Sequence, residues 1–378
     1  MLKGVYLTLM VGVGVPVPVP QVVLEALTDV TISSGSGVNN GFQLTFALSN
    51  RSPLQTLFLL SGGSPIPLLR VILVATLNGT PDVLIDGVVT HHQISPGRDA
   101  QHSILTVTGE DLTKVMSYSL FSNPPGTPFP AMPAEARVAL ILAKYAALGI
   151  IPLVVPSILI DVPIPVDRIP RQQGTDLEYI RQLASEVGYV FYLDPGPAPG
   201  TSVAYWGPEI KMGVPQPALN SNMDGFTNVE SLDFTFDGSA KKLPILMIQN
   251  KETKVPIPIP IPDITPLNPP LGAVAPIPQS FEFISETAKL SFVQAAAIGL
   301  AKAAQSADAV LGTGSLDVLR YGRVLKPRKL VGVRGVGTAF DGLYYVKNVT
   351  HRIQRGEFKQ NFTLSRNGLI STLSKVPA

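Results

Sequence analysis

Residues 71–79 read VILVATLNG, and this stretch decides the fold class. Its apolar and β-branched residues favour a strand, and Asn78-Gly79 accepts the positive φ values of a two-residue hairpin turn. Residues 41–48 alternate in polarity, and residues 104–108 form another strand-like run. We therefore predict an antiparallel barrel or sandwich over residues 30–116.

A second turn is expected inside this region, at Asp86-Gly87. This dipeptide divides Val83–Ile85 from Val88–Thr90, which are two short strand-like runs. Asp-Gly is a frequent hairpin turn pair, because both residues accept positive φ values. The first domain is accordingly predicted to span residues 1–118.

The N-terminal stretch from Gly4 to Leu24 is uncharged and could suggest a signal peptide or a membrane anchor. Proline at positions 16, 18 and 20 removes backbone donors and would break a membrane-spanning helix. No small-residue cleavage site closes a compact apolar region. We therefore expect an edge strand or an extended apolar arm.

The middle of the chain, residues 119–227, has a mixed α/β pattern. Glu135–Leu148 places apolar residues at helical spacing, and Gly149 follows as a helix stop. Farther on, Thr175 and Glu178 have the spacing of a capping box. This box predicts a helix to about residue 187, followed by a strand at 189–193.

Strand patterns return in the third domain, residues 228–378, beginning with Ser231–Phe236. Residues 255–278 then interrupt them with alternating Val/Ile and Pro. Such a run cannot pair on both sides of a sheet, so we expect an extended polyproline-like loop whose apolar side chains are covered. A flexible linker is the alternative. A long Ala-rich helix, 285–311, is expected next, capped by Ser285 and stopped by Gly312, before final strands.

Composition points to an assembly protein. Of the 378 residues, 45% are hydrophobic and only 15% are charged, and the mean hydropathy is +0.28. We therefore expect partners to cover much of the surface. The net charge of +2 gives no general attraction to nucleic acid or membrane. The absence of cysteine excludes disulfides and thiol chemistry.

The four histidines offer little for metal or acid–base chemistry. His91 and His92 are adjacent and would face opposite sides of a strand, so they cannot chelate one metal together. His351 lies in an apolar strand beside Arg352, and we expect it to be packed or hydrogen-bonded rather than a catalytic base.

Other chemical motifs are equally weak. The glycine-rich stretches 11–14 and 332–337 lack the lysine or helix start of a phosphate loop, and they indicate bulges or bends. Residues 34–37 lack the strand-to-helix setting of a nucleophile elbow. Three further candidates are expected to be surface, capping or core residues: the pairs Glu110 with Asp111 and Glu282 with Glu286, and Trp206. We predict no catalytic, cofactor-binding or metal-binding residues and no enzymatic activity.

An internal similarity links the two β regions. Residues 86–112 and 341–369 share an order of features: Asp-Gly, a strand, Thr-His, a loop and a second strand. Both indicate a long hairpin after an Asp-Gly turn. Either one chain carries two copies of one β-domain, or the likeness is a chance property of hairpins.

Residues 168–184, RIPRQQGTDLEYIRQLA, lead into GYVFY at 188–192. This passage resembles the late control protein D family of phage tail hubs, which is similar to the hub portions of type VI secretion spike proteins. Residues 107–112, 341–346 and 365–369 extend the resemblance in order across most of the chain, with the proline-rich segment as the main unmatched stretch.

The resemblance implies an α+β, mainly β, protein in which two tube-like antiparallel β-barrel domains flank the mixed middle domain. It further implies a homotrimeric baseplate hub that forms a pseudo-six-fold ring, with a tail tube ring above and a spike trimer below. Baseplate wedge or sheath-associated proteins are further expected partners, and neither nucleic acid nor membrane insertion is expected. The particle would be a virion tail baseplate or an injection system assembled in the bacterial cytoplasm.

Two alternatives stay open. A tail tube or tube-cap component of the same machine would have one β-domain copy and six-fold assembly. A carbohydrate-active or carbohydrate-binding β-protein of an envelope would need a cleft with aromatic platforms and a placed pair of acidic residues.

Overall fold

The structure is a computed structural model. It describes residues 4–48, 54, 58, 68–96, 103–157, 162–166, 169–239, 241–249, 256–261, 269–284, 299, 303, 308–374 and 376. The strands of the first region are β1 (Val5–Val13), β2 (Val17–Pro18), β3 (Leu27–Gly35), β4 (Gly41–Leu48), β5 (Leu69–Leu77), β6 (Thr80–Ser95) and β7 (Ser103–Asp111). Two short helices accompany them, α1 (Gln21–Ala26) and α2 (Thr113–Met116).

The middle region contains α3 (Ala134–Ala143), β8 (Ile150–Val154), α4 (Asp176–Glu186), β9 (Val190–Pro195) and β10 (Ser202–Gly207). The remaining strands are β11 (Gln216–Asn220), β12 (Ser231–Phe236), β13 (Lys242–Gln249), β14 (Pro256–Pro260), β15 (Gly272–Val274), β16 (Ser280–Ile284), β17 (Val310–Asp317), β18 (Leu330–Arg334), β19 (Gly342–Gln354), β20 (Glu357–Arg366) and β21 (Leu369–Ser371). Helix α5 spans Val318–Tyr321. The predicted fold class, α+β and mainly β, is confirmed.

The hairpin predicted at Asn78-Gly79 is confirmed. Asn78 and Gly79 have φ values of 50° and 82°, and Leu77 pairs with Thr80 across the two-residue turn. Strand β5 lies between β1 and β6, which explains why nearly all of its residues are buried.

The turn predicted at Asp86-Gly87 is wrong, because β6 runs straight through it. Asp86 forms a buried bidentate ion pair with Arg70 of β5, with Nε–Oδ1 and Nη2–Oδ2 distances of 2.7 and 2.6 Å. Gly87 is needed for another reason, since a Cβ atom there would collide with the Glu110 carbonyl of β7. The dipeptide thus serves packing inside a strand.

In the part of the chain that the structure describes, one sheet of 13 strands organises the molecule. Its main path has the order β12-β17-β20-β19-β3-β4-β7-β6-β5-β1-β2, and β18 and β11 branch from β19. Strand β19 pairs with β18 through its first half and with β3 through its second half. A continuous hydrophobic core under this sheet includes residues from both β regions, from Val5 to Leu364.

The middle region has its own core around Trp206, packed by α3, α4 and the sheet β8-β10-β9. The predicted capping box is confirmed: the Glu178 amide donates to Thr175 Oγ1 at 3.4 Å and the Thr175 amide donates to Glu178 Oε2 at 2.8 Å. Helix α3 ends at Ala143, earlier than expected, and a 3-10 turn leads to Gly149 in the left-handed conformation. The three domain boundaries and the barrel form of the β regions stay predictions.

Within the proline-rich segment, residues 256–260 form β14 and residues 272–274 form β15, so a loop or linker is the wrong interpretation for these two stretches, while residues 269–271 and 275–278 are not strand. Strand β14 pairs antiparallel with β13, whose other side carries β16 in parallel. Among the described residues, β14 pairs with β13 alone. Residues 262–268 lie outside the described residues.

The helix predicted over 285–311 lies mostly outside the described residues, although Gly299 and Ala303 are helical. Its C-terminal end is wrong, because β17 begins at Val310 and Gly312 lies inside this strand. The Phe234 ring of β12 occupies the space that a side chain at position 312 would need. Gly312 is therefore a packing residue in a sheet.

The N-terminal run forms β1, a nine-residue strand paired with β5, followed by β2 on its other side. Strand geometry is therefore confirmed for β1 and β2, but β1 is an inner strand rather than an edge strand or an arm, and residues 21–24 lie in helix α1. Within the described ranges, no helix has the length and apolarity needed to cross a membrane.

His351 is buried in β19 and hydrogen-bonded, as expected. Its Nδ1 lies 3.2 Å from Nε2 of Gln360, whose two amide atoms also bond the Leu325 backbone at 2.8 and 2.9 Å. Because those bonds orient the amide with its nitrogen towards the ring, Nδ1 acts as an acceptor. Burial lowers the pKa of His351 from 6.5 to about 4, so the ring is neutral.

We expect His351→Asn to remove part of the acid sensitivity of the fold. The folded-state pKa lies below the unfolded value, so the stabilisation by the neutral ring is complete above about pH 6.5 and is lost as the pH falls towards about 4. Over this window the free energy of unfolding should fall by about 3 kcal/mol more in the wild type than in the variant. Urea titrations at several pH values measure the difference, and parallel pH profiles would contradict the assignment.

Candidate assembly surface

The histidines that the sequence offered for chemistry are not brought together. His91 and His92 lie exposed on β6, opposite Thr108 and Val107 of β7, while His351 is buried in β19. Over the described ranges, no group of three His, Asp or Glu side chains is arranged to hold a metal ion.

The candidate carboxylate pair on β7 is also divided between two environments. Glu110 forms an ion pair with Lys114 at 2.9 Å, whereas Asp111 is buried. Asp111 accepts hydrogen bonds from the Thr113 amide at 3.0 Å and from Asn40 Nδ2 at 2.9 Å. Burial raises the pKa of Asp111 against the opposing effect of these bonds. Glu282 lies on β16, and Glu286 is outside the described residues.

The remaining candidates are structural residues. Gly14, Gly335 and Gly337 adopt positive φ values at bends, which agrees with the expectation for the glycine-rich stretches. Residues 34–37 form the end of β3 and a following turn. Trp206 is fully buried and donates its Nε1 hydrogen to the Ile180 carbonyl, as expected for a core aromatic.

Arg328 connects the three regions of the chain. Its guanidinium donates to Asp194 at 2.6 Å in the middle region, and to the Gly35 carbonyl at 2.5 Å and Asn40 Oδ1 at 3.1 Å in the first region. The guanidinium also lies over the Tyr192 ring, 4.1 Å from its centroid. These contacts hold three sequence-distant segments in one fixed arrangement.

Sequence reasoning missed Arg328, because residues 326–329 read KPRK and resemble a solvated cluster of charges. A flanking proline and the apolar run that follows at 330–333 were the available signals of a less exposed position. The partners of Arg328 come from positions more than 100 residues away, so no local pattern identifies them.

Strands β3 and β19 form the junction between the two β regions. Seven residue pairs run antiparallel from Asn348 opposite Gly35 to Gln354 opposite Asp29. On one face Val349 and Ile32 are buried in the core. On the other face the Ser33 and Thr350 hydroxyls lie 3.2 Å apart, and Gln354 donates to Asp29 at 2.7 Å.

The same order of four strands occurs on both sides of this junction. Strands β3-β4-β7-β6 form one set and β12-β17-β20-β19 the other. The last strand of each set has one register shift against its neighbour, between Val89 and His91 in β6 and between Val346 and Asn348 in β19. Each bulge leaves one residue without a partner in the ladder, Thr90 in β6 and Lys347 in β19, so these two residues are equivalent positions of the two sets.

This structural match corrects the internal similarity found in the sequence. Both long hairpins exist, β6 with β7 and β19 with β20. Their residues correspond differently, however, because Thr90 matches Lys347 rather than Thr350. The sequence comparison gave the wrong correspondence because it aligned Asp86-Gly87, which lies inside β6, with Asp341-Gly342 as if both were turns.

Of the two equivalent junctions, the described part of the chain makes only one. In β19 the second half packs against β3, but the matching residues of β6, 90–95, are all exposed. Among the described residues, this part of β6 pairs with β7 alone and β12 pairs with β17 alone. Among the described residues, the two repeated sets are therefore bounded by two open strand edges, the second half of β6 and the outer side of β12.

The sheet face opposite the core is polar. Around the second set it forms a shallow depression whose lining is rich in hydroxyl and amide groups: Ser231, Thr313, Ser315, Asn348, Thr350, Asn361 and Thr363. Asp233 also lines the depression, and polar side chains of this kind favour contact with water over a second protein core.

No family model and no curated protein matches the sequence. Solved structures do share the fold. A tail protein from Neisseria meningitidis MC58 aligns with a TM-score of 0.63 at 13% identity, over 97% of this chain and 98% of that chain. The 43 kDa tail protein of prophage MuSo2 from Shewanella oneidensis aligns with a TM-score of 0.58 at 15% identity, over 96% and 98%.

A third structure is an E. coli component of the type VI secretion system, described as similar to bacteriophage T4 tail proteins. It aligns with a TM-score of 0.51 at 11% identity, over 93% of this chain and 76% of that chain. At identities this low, the TM-scores show a common fold and nothing more. The chain thus has the fold of phage tail proteins and of a type VI secretion component, which confirms the structural side of the resemblance noted in the sequence.

Proposed function

We propose that this protein is the structural baseplate hub of a contractile phage tail or a contractile injection system. The observation that carries the proposal is the repeated four-strand set, with one junction made in the chain and one open edge at each side. A chain that carries two similar units and ends in open edges is suited to closing a ring with copies of itself.

Three copies are the number we propose. They supply six similar units, so a three-fold object can face a six-fold tail tube above and a trimeric spike below. The fold of the phage tail neighbours supports a tail or injection-system role in general. The tube, spike and wedge or sheath partners, and assembly in the bacterial cytoplasm, come from the family resemblance and are part of the proposal.

A non-enzymatic role is also proposed. The buried ionisable groups described above serve other groups of the fold: Arg70 binds Asp86, Arg328 binds Asp194, and Asp111 binds Asn40. Burial raises the pKa of Asp86 and of Asp111, and both carboxyl groups face partners of the protein itself. Their perturbed titration has a structural cause and calls for no substrate.

The tail tube or tube-cap alternative has less support, because it expects one β-domain copy in each chain. The carbohydrate-binding alternative relied on an accessible aromatic platform, and Trp206 is buried in the middle core.

We expect the purified protein to form a homotrimer. Native mass spectrometry, together with sedimentation velocity at micromolar concentration, should give three times the chain mass of 40.2 kDa. A hexamer would instead favour the tail tube alternative. A stable monomer in both measurements would contradict the hub.

A further inference from the structure

The open edge of β6 has a template elsewhere in the same chain. The bulges match β6 with β19, and the second half of β19 is paired with β3. Strand β3 is the first strand of its four-strand set, and β12 holds that place in the other set. The missing partner of β6 should therefore be β12, which within one chain lies at the far end of the eight-strand run.

The register of this pairing follows from the ladders. In the first set, Val89 pairs with Gly109, which pairs with Phe42 of the next strand. In the second set, Val346 pairs with Leu364, which pairs with Gly312 of the next strand. Phe42 and Gly312 face Ile32 and Phe234 respectively, so Phe234 matches Ile32. Ile94 matches His351 by the same bulge. Since His351 pairs with Ile32 inside the chain, Ile94 should pair with Phe234.

The geometry points to a specific interface with a second copy of this chain: β6 of one copy pairs antiparallel with β12 of the next. His92 lies opposite Phe236, Gln93 opposite Thr235, and Ile94 opposite Phe234. This inference deepens the proposed function and rests on it, because three such pairings close a ring of three chains. Each open edge is therefore filled by the opposite open edge of a neighbouring copy.

Side-chain chemistry supports this register on both faces. Ile94 is 43% exposed and Phe236 is 39% exposed in the single chain, and the pairing brings these apolar groups onto one face. The opposite face joins the Gln93 amide to the Thr235 hydroxyl, where the internal template has Thr350 beside Ser33. A slip of one residue would place Ile94 among polar side chains, because neighbours on a strand point to opposite faces.

The natural chain has no cysteine, so engineered thiols report on the register without interference. We expect the double variant Gln93→Cys with Thr235→Cys to form disulfides between chains under mild oxidation. Non-reducing electrophoresis should then show a covalent trimer that reverts to monomer on reduction. The pair Ser33→Cys with Thr350→Cys is the matched internal control, which should oxidise within one chain and stay monomeric.

A second control changes one position by one residue. His92→Cys with Thr235→Cys places the thiols on opposite faces of the proposed pairing and should give little covalent trimer. If the protein is a trimer by mass but the 93–235 pair does not cross-link, or the 92–235 pair cross-links better, the register is wrong while the hub stands. A monomer by mass would overturn both.

A charge at the same edge tests the interface without cysteine. We expect Ile94→Lys to raise the concentration for half-assembly at least about 100-fold, because the lysine would be buried against phenylalanine. Ile104→Lys is the matched control: Ile104 is 44% exposed on β7, opposite Ser95 and on the polar face. It should change assembly less than about threefold. Equal effects of the two variants, at unchanged thermal unfolding, would overturn the proposed interface.

Discussion

The antiparallel pairing of β3 with β19 is the contact on which the rest of the architecture depends. It joins segments that lie about 300 residues apart and turns two four-strand sets into one sheet over one core. Such a non-local contact has a large loop-closure cost, which must be offset by the burial of groups such as Ile32 and Val349. Arg328 adds charge-assisted hydrogen bonds beside this junction and ties the middle region to it.

Local features of the fold could be predicted from the sequence wherever the structure follows a local rule. Asn78-Gly79 adopts the turn that its tolerance of positive φ favours, and Thr175 with Glu178 caps α4 through bonds three residues apart. Asp86-Gly87 and Gly312 were misjudged for a different reason. Each of these residues is required by a contact from another strand: Asp86 binds the Arg70 guanidinium, Gly87 faces the Glu110 carbonyl, and Gly312 faces the Phe234 ring. None of these contacts can be inferred from the neighbouring sequence.

The assembly surface was harder to foresee than the fold. Resemblance across the passage 168–192 indicated the tail-hub class, but it did not identify any edge residue. The open edge of β6 becomes visible only by comparison with β19, because residues 90–95 are exposed while the matching part of β19 is paired with β3. The order of strands, rather than residue identity, carries this information.

The prolines of β14 decide which edge of its small sheet could accept a further strand. Proline occupies positions 256, 258 and 260, so the amides that bond β13 can come only from the isoleucines between them. The outward side of β14 consequently lacks hydrogen-bond donors at alternate positions and is a poor template for another strand. The prolines therefore discourage growth of this sheet beyond β14, and in the proposed edge-to-edge assembly they exclude the outer side of β14 as a competing docking site.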